Sequence, residues 1–123
     1  MKKKLLFVGG IINVLFTIFH VWLAWQISQI TGLSSEIHAL LLMLAFGGTL
    51  MIGFAAYASL FCIQQMLTTR LGKATMILVV LIYSTRALEE IVIAPKFSPL
   101  IFSACLVTAL VYLLALTLPQ KEA

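Results

Sequence analysis

Apolar residues run through this chain in long blocks, separated by three short polar stretches, and each block is long enough to cross a bilayer. No Asp, Glu, Lys or Arg occurs from Leu5 through Ser35, from Ile37 through Thr69, or from Phe97 through Gln120. A spanning helix needs about 20 apolar residues at about 1.5 Å of rise each. The remaining block, Ala74 to Ile93, starts equally apolar at Met76 to Tyr83 but carries Arg86, Glu89 and Glu90 toward its end. The pattern predicts four helices, over residues 5–29, 36–67, 74–93 and 98–118. The breaks have turn chemistry: Thr31-Gly32 before Ser34-Ser35-Glu36, the run Thr68 to Lys73, and the run Ala94 to Pro99. Gly32 suits a helix C-terminus, and Ser98 before Pro99 reads as an N-cap with proline at the first helical position. Short connections between four such helices predict an all-α integral membrane four-helix antiparallel bundle, filling residues 1–123 as a single domain.

Composition sharpens this into a statement about solvent. Of 123 residues, 63% are hydrophobic and 10% charged, and the mean hydropathy is +1.14. A soluble domain holds roughly 45 to 50% apolar and about 25% charged residues, so a soluble globular fold is excluded. Lys2, Lys3 and Lys4 ahead of an apolar run also match the start of a signal peptide. However, a signal core covers only about 7 to 15 residues, and here Phe16, Phe19, His20, Trp22 and Trp25 carry the segment on through a full span.

Lys and Arg in short loops are retained on the cytoplasmic side. With four spans, Lys2 to Lys4, Arg70 with Lys73, and Lys121 share one face, and Lys96 stands on the other. The expected location is the inner (cytoplasmic) membrane, multi-pass, with both termini cytoplasmic. The net charge of +4 follows from this bias and from attraction to anionic lipid headgroups, so it does not point to nucleic acid. Trp22 and Trp25 sit near the outer end of the first span, where aromatic rings favour the interface.

Catalytic signatures are missing: there is no glycine-rich phosphate loop, nucleophile elbow or H-E-x-x-H run. Cys62 and Cys105 fall in different spans and form no C-x-x-C pair, which reads as two apolar core cysteines rather than a redox or zinc site. Helices in lipid associate through small residues and hydrogen bonds. The stripe Gly9, Asn13, Thr17, His20, Ala24 in the first span and the strip Ala45, Gly48, Thr49, Ile52, Ala56, Ser59 in the second are therefore the expected packing faces.

The ionisable residues within the spans carry the functional reading. Counted from the outer helix ends, His20 lies about 15 Å deep, Arg86 about 10 to 12 Å, and Glu89, Glu90 and His38 about 5 to 9 Å. Charges at such depths cost free energy and mark functional sites by default. Glu89 and Glu90 point about 100° apart on a helix, so both cannot serve Arg86 and face water. Tyr83, Arg86 and Glu90 share one face, the expected inward set, while Glu89 sits beside Ile82 and Thr85. One reading leaves Arg86 paired with Glu90 and both glutamates at the interface. The other joins Tyr83, Arg86 and Glu90 to His20 in a polar pocket of the outer leaflet, flanked by Glu89, Asn13 and His38, that binds a small apolar ligand or a metal; His38, directly after Ser34-Ser35-Glu36, also reads as a solvated first-turn residue. His20, His38 and Glu90 are the candidate metal ligands, and the two histidines the candidate haem ligands, although their difference in depth counts against haem.

At Gly10-Ile11-Ile12-Asn13, Phe16 and Phe19-His20, and at Leu71-Gly72-Lys73 with Arg86-Ala87-Leu88-Glu89, the chain resembles a broad group of small uncharacterised bacterial four-helix membrane proteins. The resemblance implies no activity. Two other classes stay open: an accessory or scaffold subunit of a larger membrane complex, and a small proton-coupled transporter acting as a homo-oligomer. In size the chain matches small multidrug exporters, but its first span holds no acid.

Overall fold

The computed structural model describes residues 1–119, and Lys121, one of the charges used above for orientation, lies outside them. The described residues are all-helical, in five helices: α1 Lys2–Ser28, α2 Ser35–Phe61, α3 Ile63–Thr68, α4 Arg70–Val92 and α5 Pro99–Thr117. Three of them, α1, α2 and α5, are long and apolar enough to cross a membrane. Helix α4 has the length, at 23 residues, but carries Arg70, Lys73, Arg86, Glu89 and Glu90.

Local chemistry explains most of the boundaries. The chain leaves α1 through a turn in which Gly32 takes φ +88°, a left-handed conformation that only glycine adopts at no steric cost. Ser34 then accepts from the Ile37 N–H to open α2. Ser98 caps α5 in the same way, with Pro99 behind it.

Two boundaries depart from the sequence reading. The expected single helix over 36–67 breaks at Cys62, whose backbone sits at φ −116°, ψ 32°, so that α3 is a separate turn and a half. The expected loop from Thr68 to Lys73 shrinks to one extended residue, Thr69, whose hydroxyl accepts from the Gly72 N–H at 2.9 Å and starts α4 at Arg70. Gly72 makes this corner possible. A Cβ there would collide with the Gln65 carbonyl oxygen and come within 2.5 Å of the Met66 Cα, so only glycine lets α4 start against the backbone of α3.

Helix α1 packs on α2 and on α5, and α5 packs on α4. Residue contacts set the α1–α2 register: Gly10 meets Leu60 and Ser59, Gly53 meets Thr17, and Gly48 meets His20. The two helices are antiparallel. Gly9 admits the Tyr112 ring of α5, where a Cβ would come within 2.8 Å of the ring. On the first stripe Gly9, Asn13 and Ala24 are buried and Thr17 and His20 half-buried; on the second, Ala45, Ile52, Ala56 and Ser59 are buried. The outward faces are apolar and bare: Phe46, Leu50, Phe54 and Phe61 of α2 are each at least 60% exposed.

Candidate functional site

A chain of polar side chains runs through the middle of this packing. Asn13, fully buried on α1, donates from Nδ2 to the Gly9 carbonyl at 2.9 Å and to the Tyr112 hydroxyl at 2.7 Å. Its Oδ1 accepts from the Tyr83 hydroxyl of α4 at 2.5 Å. The Tyr112 hydroxyl also shares a hydrogen bond with Ser59 Oγ of α2, 2.5 Å away. Four side chains thus tie α1, α2, α4 and α5 at one level, and a network with every member satisfied fixes a packing rather than weakening it. It also takes Asn13 and Tyr83 out of the set of polar groups free to meet a ligand. Tyr112 and Ser59 were not among the candidates from sequence.

Above this tie a cleft opens. Among the described residues α2 and α4 share no extensive contact, and the gap between them is a cavity of about 540 Å³. Its floor is α1, through Asn13, Phe16 and His20, with Cys105 and Ile101 from α5. Gly48, Met51 and Ile52 form the α2 wall, and Leu78, Ile82 and Arg86 the α4 wall. The lining is mostly apolar with a few polar groups, the usual character of a small-molecule site.

His20 is half-buried here, edge-on to Phe19. Its Nδ1 lies 2.9 Å from the Phe16 carbonyl. A carbonyl only accepts, so Nδ1 carries the proton and, in the neutral ring, Nε2 holds the free lone pair. The ring packs beside Gly48, where an added Cβ would lie 3.5 Å from His20 Cδ2, an ordinary van der Waals contact.

Arg86 and the glutamates divide as the 100° offset requires. Arg86 Nη1 is 3.1 Å from Glu90 and 4.0 Å from Glu89, both within its own helix. The Glu90 side chain is 3% exposed and that of Glu89 45%. Glu90 also accepts from the Ser98 N–H at 2.9 Å, so one carboxylate clamps the end of α4 to the cap of α5. It does not line the cleft, and Glu89 lies on the outer side of α4 against Ile82 and Thr85.

The structure does not bring the candidate metal ligands together. His38 Nε2 donates to the Ile27 carbonyl at 2.8 Å, tying the start of α2 to the end of α1. It sits ten residues, about 15 Å of helix, from Gly48 where His20 packs. Glu90 is committed to Arg86 and Ser98. Among the described residues no group of three His, Cys, Asp or Glu side chains is placed to hold a metal ion, and the two histidines are too far apart for one haem. Of the residues expected in the pocket, His20, Asn13, Tyr83 and Arg86 line one cavity; Glu90, Glu89 and His38 do not. No protein-family model, curated protein or solved structure matches the chain.

Proposed function

We propose that this chain is a four-span inner-membrane protein, both termini cytoplasmic, that binds a small apolar ligand in the cleft between α2 and α4. In this reading α4 is the fourth span. Its stretch Ala74 to Thr85 is free of charge, Arg70 and Lys73 lie at one interface, and Arg86 stands paired near the other, which lowers the cost of its depth. The broad apolar outer faces of α1, α2 and α5 then meet lipid.

The observation that supports binding is the cleft itself. Helices that gain nothing hydrophobic from meeting each other should close on small-residue faces, as α1 and α2 do here. Between α2 and α4 they instead leave about 540 Å³, walled by Met51, Ile52 and Leu78, with His20 and Arg86 among its polar groups. That volume falls in the range of small-molecule sites.

Mass spectrometry of the protein released intact from detergent tests this reading. Wild type is expected to carry a small-molecule adduct at near-unit stoichiometry, and Gly48→Leu, which fills the cleft beside His20, to lose it. Equal adducts on both proteins, or none on wild type, would refute it.

A further inference from the structure

Resting on that reading, we infer that the ligand of the cleft is a neutral amphiphile with a hydroxyl at its polar end. Two polar groups of the cleft, His20 and Arg86, ask for opposite partners. His20 Nε2, with its ring held by the Nδ1 bond to Phe16, accepts. Arg86 only donates, and its Nη2 and Nε hold no ion-pair contact among the described residues. A hydroxyl is the smallest neutral group that donates and accepts at once.

Geometry places both groups at the same end. Helices α1 and α4 touch through Asn13 and Tyr83 and through the rings of Phe16 and Tyr83, and His20 and Arg86 both line the cavity next to that contact. From that contact His20 is seven residues along α1, about 10 Å, and Arg86 three residues along α4, about 5 Å, a difference that an extended arginine stem spans.

Charge selects against the ionic alternatives. Glu89 and Glu90 already face Arg86, so a carboxylate ligand would be a third negative group around one guanidinium and could not donate to His20. An ammonium would find the guanidinium across the cleft and no carboxylate lining it. A ketone or ester would accept from Arg86 but leave Nε2 unpartnered. The apolar remainder of the cavity, from Phe16 to Met51 and Leu78, takes the hydrocarbon body.

The test uses the full chain in nanodiscs of synthetic phosphatidylcholine and three photoreactive diazirine probes built on one dodecyl chain, ending in a hydroxyl, a carboxylate or a methyl group. Labelling is mapped by mass spectrometry to the segments 16–23 and 48–55. The hydroxyl probe is expected to label these about fivefold more than either of the others, as one retained hydrogen bond implies. Unlabelled dodecanol should compete, His20→Leu should remove the excess, and His20→Gln, which keeps an acceptor, should retain part of it. Equal or stronger labelling by the carboxylate probe in wild type, or an excess that survives His20→Leu, would overturn the hydroxyl assignment while leaving the cleft as a binding site. If none of the three labels these segments above the outward face of α2 at Met43 and Phe46, the cleft reading fails with it.

Discussion

Replacing Asn13 with leucine, of similar size, removes the hub of the polar tie and should cost far more than one hydrogen bond. The Asn13 amide makes three contacts, to Gly9, Tyr112 and Tyr83. Hydrogen bonds between membrane helices average about 0.6 kcal/mol, with a maximum near 1.7, so the two interhelical bonds account for about 1 kcal/mol. Tyr112 keeps Ser59 as a partner, but the hydroxyl of Tyr83, a residue only 4% exposed, loses its acceptor. An orphaned buried polar group costs a further ~1 to 3 kcal/mol. Asn13→Leu is therefore expected to lose about 2 to 4 kcal/mol, measured by reversible unfolding in mixed micelles followed by tryptophan fluorescence. Thr17→Val is the control, because its hydroxyl bonds only to the Asn13 carbonyl within α1; it should change stability by less than about 0.5 kcal/mol. Since most of the loss is assigned to an orphaned hydroxyl, adding Tyr83→Phe to Asn13→Leu should recover about 1 kcal/mol, a non-additivity expected of groups in one network. An Asn13→Leu protein as stable as the control, or a double variant weaker than either single one, would refute the reasoning.

The two glutamates should separate by substitution. Glu90→Gln weakens a charge-assisted contact with Arg86 and the hold on Ser98 and is expected to cost about 1.5 to 3 kcal/mol in the same assay, whereas Glu89→Gln, half-exposed at 4.0 Å, should fall within the 0 to ~1 kcal/mol of a surface pair. The proposed topology predicts that, with Cys62 and Cys105 replaced by alanine, a cysteine at Lys96 reacts with a membrane-impermeant maleimide in intact cells and one at Lys73 reacts only after lysis.

Much of this architecture is written in one-dimensional signals. An uncharged run of spanning length, a serine before Pro99, and small residues three or four apart from Gly9 to Ala24 each have a direct physical consequence, and the helices follow them. The division between Glu89 and Glu90 is equally legible, because neighbours on a helix cannot share a direction. The polar tie is only half legible: Asn13 stands out as an amide in an apolar span, but Ser59 and Tyr112 are ordinary occupants of apolar helices, and no spacing says that they meet across 53 residues. The contact that His38 makes is illegible for a similar reason. Its partner is a backbone carbonyl, Ile27, which any residue supplies and no sequence marks. The break at Cys62 involves neither proline nor glycine; the nearest signal is Gly72, ten residues on, whose necessity appears only once α3 and α4 are seen to touch.

The measurement that bears most directly on the cleft uses the methionine methyl groups as reporters. Met51 lines the cavity, and Met43, on the same helix, is 70% exposed on the outer face. With methyl-labelled methionine and the protein in synthetic-lipid nanodiscs, titration with the apolar fraction of a bacterial lipid extract should shift the Met51 resonance saturably and leave Met43 in place. If both resonances move together in proportion to added lipid, the molecules are partitioning into the bilayer, and the cleft is not a binding site.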